Sequence, residues 1–242
     1  MAILLSRLDM RQVRVTWNGS DPTTSVDCEV NNLLRAILPR YDEAWLSEES
    51  KDDSRRLQSN RVWIVDPLDG TREFLLDIPE WCVSVALVED GYAVAGGVLD
   101  PSTGEIFLGA EELGLKITGP QCARVPVQGK NLRMLVSRTE YSAGKWRHFE
   151  DPQFTIVPAG SIAYRLAHVA AGWAGATCTL GPRHEWDVAA GVALVRAAGG
   201  RVEMLNGQGI RFNRATTNVG RFFAFSRHCD DQMPQLFCGE IA

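Results

Sequence analysis

Long apolar runs, runs of basic residues and closely spaced cysteine pairs are all absent from this sequence of 242 residues. No apolar segment approaches the roughly 20 residues that span a bilayer, and residues 1–5 are too short for the core of a signal peptide. None of the six cysteines forms a C-x-x-C pair, which favours a reducing compartment. We therefore expect a soluble cytoplasmic protein without a membrane partner.

The charge balance is mildly acidic, with a net charge of −5 at pH 7. Without a long basic run, such a chain is poorly suited to bind a nucleic-acid polymer. A small phosphorylated substrate remains compatible, because a local positive patch is enough to attract it. With 45% hydrophobic residues, the chain has enough apolar material for one large domain or two modest ones.

Residues 63–74 combine an apolar run with two carboxylates in a turn. The β-branched residues at 62–65 predict a buried strand, and Pro67, which has no N–H group, predicts that this strand stops near Asp66. Asp66 and Asp69 are three positions apart, a spacing that brings both carboxylates to one side of the backbone. Two such anions repel unless a cation lies between them, and Mg²⁺ prefers oxygen ligands. The stretch predicts a metal site.

Gly70 and Thr71 follow these acids and offer backbone N–H groups at the start of a helical turn, where a phosphate can bind. Two other interpretations stay open at this point. Asp-Pro and Asp-Gly are also ordinary turn formers. A phosphatase with a nucleophilic aspartate has a D-x-D-G-T turn, but here two residues separate the acids, which disfavours an aspartyl-phosphate mechanism.

Other acidic residues are candidates to complete a metal cluster, and each also has a structural interpretation. Asp27 lies near the start of a predicted helix that includes residues 30–37, where the helix dipole favours a carboxylate. Glu48 and Glu49 precede a polar segment and are typical of surface charge. Asp187 begins another predicted helix, either as its N-cap or as a metal ligand.

Strand signals dominate the first half of the chain. Apolar runs at 81–88 and 92–99, joined by Glu-Asp-Gly, predict a β-hairpin, and a second strand pair is expected at 105–118. A polar connector follows, and we place a domain boundary near residue 130. The expected units are an N-terminal α+β domain, 1–130, with an antiparallel sheet and the main metal site, and a C-terminal α/β domain, 131–242, that completes the site.

Strands and helices alternate in the second half of the chain. Strands are predicted at 132–137, 154–157, 176–180, 201–204 and 222–225, and helices at 162–171 and 187–198. Gly160 and Ser161 introduce the first of these helices and offer donors to an anion, although an ordinary serine N-cap explains them equally well. His184, close to Asp187, is a candidate substrate contact.

Three motifs occur in an order that resembles the inositol monophosphatase superfamily. They are a Ser-Glu-Glu-Ser segment, Asp66-Pro-Leu-Asp-Gly-Thr71, and Trp186-Asp-Val-Ala-Ala-Gly191 followed by Ala-Gly-Gly200. The resemblance covers residues 20–226 and implies a layered αβαβα sandwich of α+β and α/β character. It also implies a phosphomonoesterase that uses two or three Mg²⁺ ions, is inhibited by Li⁺ and often forms a homodimer.

The family pattern implies roles for individual residues. Its metal ligands correspond to Glu48, Asp66, the Leu68 carbonyl, Asp69 and Asp187. It implies that Asp27 and Thr71 orient the attacking water, so that Asp27, Glu48, Asp69 and Thr71 form the catalytic set. It further implies that the N–H groups of Gly70 and Thr71 hold the phosphate and that Ser161 lies near the substrate.

Within the superfamily, two positions distinguish the branches. Inositol phosphatases carry a Glu seven residues before the late Asp, and here that position is Leu180, which cannot accept inositol hydroxyls. The sequence motif Gly-Pro-Arg-His-Glu-Trp-Asp is more similar to the 3′(2′),5′-bisphosphate nucleotidases of the CysQ type. Arg183 would then pair with a second phosphate, or it is simply a surface arginine.

We therefore predict hydrolysis of the 3′-phosphate of adenosine 3′,5′-bisphosphate by direct attack of a metal-activated water. An inositol-1-monophosphatase or another sugar monophosphatase is the alternative, and a catalytically idle relative that binds a phosphorylated ligand is a second one.

Two departures from the family pattern are present. Only about 20 residues precede the Asp-Pro-Thr-Thr loop, which suggests a trimmed start, and the motif before Asp27 is degenerate.

Overall fold

The computed structural model describes residues 13–19, 21–120, 122–124, 126, 132–147, 149 and 154–229. The expected domain boundary near residue 130 lies outside these residues. The strands are β1 (Val15–Asn18), β2 (Asp21–Thr24), β3 (Ala44–Ser47), β4 (Arg61–Asp69), β5 (Cys82–Glu89), β6 (Tyr92–Asp100), β7 (Glu105–Ala110), β8 (Gly114–Thr118), β9 (Leu132–Ser137), β10 (Phe154–Ala159), β11 (Ala176–Cys178), β12 (Arg183–His184), β13 (Arg201–Met204), β14 (Asn218–Val219) and β15 (Phe222–Phe225). The α-helices are α1 (Ser25–Ile37), α2 (Thr71–Leu75), α3 (Arg138–Ser142), α4 (Ile162–Ala170) and α5 (Glu185–Ala197), and a 3₁₀ helix spans Ser54–Gln58.

The first large sheet has six strands in the order β3-β4-β5-β6-β7-β8. All neighbours are antiparallel except β3 and β4, which run parallel. The predicted hairpin is confirmed: Asp90 and Gly91 both have positive φ angles, 50° and 80°, as a tight hairpin turn requires. The second predicted strand pair is confirmed as β7 and β8.

Strand β4 is longer than the sequence predicts. The expected end near Asp66 is wrong, because pairing with β5 resumes at Asp69 after a shift of register. Asp66 faces Ser84 and Asp69 faces Cys82, so two residues of β4 oppose one residue of β5. Such a bulge accommodates Pro67, which has no N–H to donate to the ladder, and it turns both acids toward the same end of the sheet.

The second large sheet has the order β10-β9-β11-β15-β13. Its first three strands are parallel, and β15 runs antiparallel to both of its neighbours, so this sheet is mixed. Strand β10 extends two residues beyond its predicted end at 157 and contains Pro158. It lies at the edge of the sheet, the position where a strand tolerates proline.

Helices separate and cover the two sheets. Buried residues of α4 and α5 form one core cluster with inward-facing residues of β4, such as Val62 and Ile64. The alternate residue Val65 faces the opposite side and packs with Val26 and Val30 of α1. Outside the second sheet, Trp146 packs against Met134 in a further cluster. These layers form the predicted αβαβα sandwich.

The close approach of α5 to β6 gives a test of this packing. An added Cβ at Gly96 would lie 2.4 Å from the Ala190 carbonyl oxygen of α5. We expect Gly96→Ala to lower the free energy of unfolding by about 1–3 kcal/mol, because the core must shift to admit the methyl group. Urea denaturation measures this change. Gly209→Ala is the matched control, since nothing lies within 4 Å of its added Cβ, and an equal effect in both variants would contradict the packing argument.

Candidate metal and phosphate site

Three carboxylates converge at one end of the six-stranded sheet. Oxygen atoms of Glu48, Asp66 and Asp187 all lie within 4.8 Å of one another. The parallel pairing of β3 with β4 explains part of this convergence, because Ser47 is the register partner of Val65, and the next residue of each strand is an acid. Asp187 reaches the same point from the first turn of α5.

Asp69 lies beside this group and is held by the second half of the chain. Its Oδ2 accepts hydrogen bonds from the Ser161 hydroxyl at 2.6 Å and from the Ala163 N–H at 2.7 Å. Ser161 is also the N-cap of α4, where its hydroxyl accepts from the Tyr164 N–H at 2.9 Å. The N-cap interpretation of Ser161 is confirmed, and the metal-ligand role of Asp69 stays a prediction.

Asp27 and Thr71 are neighbours, as the family pattern implies. The Thr71 hydroxyl lies 3.4 Å from Asp27 Oδ1 and 3.1 Å from the Leu68 carbonyl oxygen. Asp27 is buried in the first turn of α1, where its other oxygen accepts from the N–H and the hydroxyl of Thr24. Burial raises the pKa of Asp27, and the two bonds from Thr24 oppose this rise. Contacts with Thr24 and with Thr71 therefore hold the two oxygens of the Asp27 carboxylate in place.

The N-cap interpretation of Asp187 is wrong. Helix α5 begins at Glu185, two residues before its predicted start, because pairing with Asn218 holds His184 in an extended conformation just before the helix. Asp187 is the third helical residue, and its Oδ2 accepts from the His184 N–H at 2.9 Å. The His184 ring stacks on Trp186 with 4.5 Å between ring centroids, beside the site.

Gly70 and Thr71 begin a helical turn, as the sequence predicts. Gly70 precedes α2 with φ at +97°, a conformation that strains any residue with a Cβ atom. An added Cβ would also lie 3.0 Å from Trp81 Cβ. A glycine is therefore required where the backbone turns from the carboxylates into the helix.

A cavity of about 410 Å³ opens next to Asp69 and Gly70. It is lined by five basic and three acidic side chains, together with Ser161. The basic residues are Arg72, Arg138, Lys145, Arg165 and Arg183, and the acidic ones are Asp69, Glu73 and Glu140. The sequence analysis identified Arg183 but missed Arg138, Lys145 and Arg165, because these residues do not belong to a recognisable motif.

Arg183 is not a free surface arginine. Its Nη2 donates to Glu140 Oε1 at 3.1 Å, and the Glu140 carboxylate is buried. The second carboxylate oxygen, Oε2, is buried without a hydrogen-bond partner among the described residues, and so is Nε of Arg138. An unpaired acceptor and an unpaired donor on one cavity wall are groups that a bound molecule can satisfy.

The inositol monophosphatase family model matches residues 1–231. The chain belongs to the inositol monophosphatase family. The resemblance drawn from its motifs is therefore confirmed, and the protein is a metal-dependent phosphoric monoester hydrolase, since metal dependence is typical of the family.

Individual relatives within the family differ in the substrate that their names state. A 3′-phosphoadenosine 5′-phosphate phosphatase of Mycobacterium bovis is 33% identical over 214 residues, which cover 84% of this chain and 78% of that protein. An inositol-1-monophosphatase of the same organism is 32% identical over 206 residues, 78% of this chain and 71% of that protein. The crystal structure of CysQ from Bacteroides thetaiotaomicron is 26% identical, covers 84% of each chain and superposes with a TM-score of 0.71.

The electrostatics of this family member are those of a cation site. Removal from water and repulsion by Asp187, Glu49 and Asp69 raise the pKa of Glu48 to about 8, although its side chain keeps contact with solvent. Burial and repulsion by Asp69 raise the pKa of Asp187 to about 7. The donors are all carboxylate oxygens, the ligands that Mg²⁺ prefers, so the residues present fit this metal.

No helix among the residues given in the fold description combines the length and the apolar character needed to span a membrane.

These pKa shifts predict how stability depends on pH. Between pH 4.5 and about 8, the folded metal-free protein keeps protons on Glu48 and Asp187 that the unfolded chain has released. We expect its melting temperature to fall as the pH rises through this window, and Mg²⁺ to raise the melting temperature more at the upper end. Calorimetry with and without a chelator measures both effects. In the Asp187→Asn variant, which lacks one of the two titrating groups, the melting temperature should depend less on pH. A metal-free melting temperature that rises with pH would contradict the electrostatic argument.

Proposed function

We propose that this phosphatase releases the 3′-phosphate of adenosine 3′,5′-bisphosphate, the compound named in the mycobacterial phosphatase relatives. The observation that carries the proposal is the cationic wall of the cavity beside the carboxylates. Arg138 pairs with Glu80, and Arg183 pairs with Glu140. Among the described residues, no ion pair engages Lys145 or the buried Arg165. The cavity therefore has positive charge to match a second phosphate.

The metal would be held by the carboxylates of Glu48, Asp66, Asp69 and Asp187 and by the Leu68 carbonyl, and we propose two or three Mg²⁺ ions. When bound, Mg²⁺ neutralises the phosphate dianion and makes water a stronger nucleophile. The clustering of three of these acids within 4.8 Å supports the assignment, because a divalent cation relieves their mutual repulsion when they are ionised.

We propose the remaining roles as the family pattern implies them, and the positions of the side chains support them. Asp27 and Thr71, in hydrogen-bond contact with each other, orient the attacking water. The N–H groups of Gly70 and Thr71, at the start of α2, hold the phosphate. Water adds to phosphorus, the bond to the 3′ oxygen breaks, and the leaving oxygen takes up a proton. The products are adenosine 5′-monophosphate and inorganic phosphate.

A second candidate substrate is an inositol or other sugar monophosphate. The family pattern places a hydroxyl acceptor at the position of Leu180, which offers none, but Glu140 supplies a buried carboxylate on the cavity wall. Its Oε2, which has no hydrogen-bond partner within the described part of the chain, is a suitable acceptor for a substrate hydroxyl. The inositol-1-monophosphatase relative favours the same alternative. A homodimer, common in the family, is part of either proposal.

The test compares phosphate release from adenosine 3′,5′-bisphosphate, inositol 1-phosphate and fructose 1,6-bisphosphate with Mg²⁺, with and without Li⁺. We expect the nucleotide to give the highest kcat/KM and Li⁺ to inhibit. Asp69→Asn should lower kcat at least about 1000-fold, since it removes several kcal/mol of transition-state stabilisation by the metal site. Circular dichroism checks that the variant is folded. Preference for inositol 1-phosphate would support the second candidate, and full activity of the variant would refute the metal site.

The contribution of Arg183 is measured with two substrates that differ by one phosphate. We expect Arg183→Gln to lower kcat/KM for adenosine 3′,5′-bisphosphate about 10- to 100-fold, the equivalent of about 1.5–3 kcal/mol for a charged hydrogen bond. Adenosine 3′-monophosphate, which lacks the 5′-phosphate, should be hydrolysed at nearly the wild-type rate. The double variant Arg183→Gln/Glu140→Gln controls for the buried carboxylate that the single change leaves unpaired. Equal losses of kcat/KM on both substrates would show that Arg183 does not bind the second phosphate.

A further inference from the structure

Two of the clustered carboxylates reach the site from segments far apart in the chain. Glu48 follows β3, whereas Asp187 belongs to the first turn of α5. Their oxygen atoms lie within 4.8 Å, and the two carboxylates repel each other once both are ionised, as metal binding requires. The segments that carry them must therefore be held together by other contacts.

One such contact centres on Arg56 in the 3₁₀ helix Ser54–Gln58. Its side chain is only 1% exposed, and its Nε and Nη2 donate to the two carboxylate oxygens of Asp52 at 2.6 and 2.9 Å. Nη1 donates to Asn213 Oδ1 at 2.8 Å, and Nη2 also donates to the Arg214 carbonyl at 2.9 Å. One guanidinium thus joins two loops that are 157 positions apart.

The second loop is in turn fixed to the start of α5. Glu185 is fully buried, and its two carboxylate oxygens accept from the N–H groups of Asn213 at 2.7 Å and Arg214 at 3.0 Å. The Glu185 N–H donates to the Thr217 carbonyl at 2.7 Å. Asp187 is two residues further along the same helix. A continuous set of partly buried hydrogen bonds, with the buried side chains of Arg56 and Glu185 at its centre, therefore connects the loop after Glu48 to the helix of Asp187.

We infer that Arg56 is a positioning residue that keeps Glu48 and Asp187 at the separation that Mg²⁺ requires. The inference rests on the proposed role of these two acids as metal ligands. A guanidinium is suited to the task, because its planar set of five donors holds several acceptors in fixed directions. Without it, the loop and the helix lose this connection, and metal binding would have to bring the two acids back to that separation.

The chain offers matched variants for a test. Arg56→Lys keeps the charge and loses the fork of donors. Asn213→Gly removes the side chain that accepts from Arg56 but keeps the main-chain N–H that binds Glu185, and glycine tolerates the positive φ of 56° at this position. Arg55→Lys is the control, because the Arg55 side chain is 86% exposed and pairs with its near neighbour Asp53.

The experiment is a calorimetric titration of each full-length, metal-free protein with Mg²⁺ alone. We expect Arg56→Lys and Asn213→Gly to raise the Kd for Mg²⁺ by about 10-fold or more, as the loss of residues that orient metal ligands typically does. Arg55→Lys should bind like the wild type. Saturating Mg²⁺ should restore kcat in the two affected variants, since the ligands themselves are intact.

The possible outcomes separate this inference from the proposed function. Wild-type Mg²⁺ affinity in either variant, once circular dichroism shows it to be folded, would overturn the role of Arg56 and leave the phosphatase assignment intact. If Arg56→Lys does not fold, Asn213→Gly decides the matter. Absence of Mg²⁺ binding by the wild type would overturn the proposed metal site and this inference together. Substrate identity affects none of these measurements.

Discussion

Repulsion among four carboxylates at one end of the six-stranded sheet is the constraint on which the rest of the site depends. Glu48, Asp66 and Asp187 lie within 4.8 Å of one another, and Asp69 raises the pKa of Asp187 from beside them. An uncompensated charge on the buried Asp66 would cost several kcal/mol. The structure holds the carboxylates with directed donors, such as the Ala163 N–H on Asp69 and the His184 N–H on Asp187. Protons in the metal-free protein, or a divalent cation, complete the compensation.

The parts of the fold that could be predicted from the sequence are those in which neighbouring residues determine the structure. The hairpin at Asp90 and Gly91 follows from the local preference for positive φ angles, and the helical turn that begins after Gly70 follows from adjacent residues. Asp66 and Asp69 were assigned to a metal site from their spacing in one turn. The more distant Glu48 and Asp187 depended on the family resemblance, because nothing local brings them to the same point.

The features that sequence reasoning missed arise from contacts between distant segments. The end of β4 was misplaced because the bulge that accommodates Pro67 is a property of its pairing with β5. The start of α5 was misplaced because His184 is held extended by Asn218, more than 30 residues away. Arg183 in β12 pairs with Glu140 in α3, 43 positions earlier in the chain. A motif pointed to Arg183, but nothing near Glu140 in the sequence pointed to that residue or to the pairing.

The charge distribution of the cavity bears on which substrate this family member hydrolyses. Asp69, one of the carboxylates that attract a divalent cation, lines the cavity together with Lys145, Arg165 and Arg183. With metal bound, anions are attracted both to the metal and to these cationic side chains, and a molecule with two phosphates can bind at both. A polyol monophosphate has no second phosphate to offer these cationic side chains, although its hydroxyls suit Glu140. Discrimination between the two substrates therefore depends on which contributes more binding free energy, the contacts to a second phosphate or the contacts to sugar hydroxyls. Hydrogen bonds between charged groups are generally stronger than those to hydroxyls, which favours the bisphosphate.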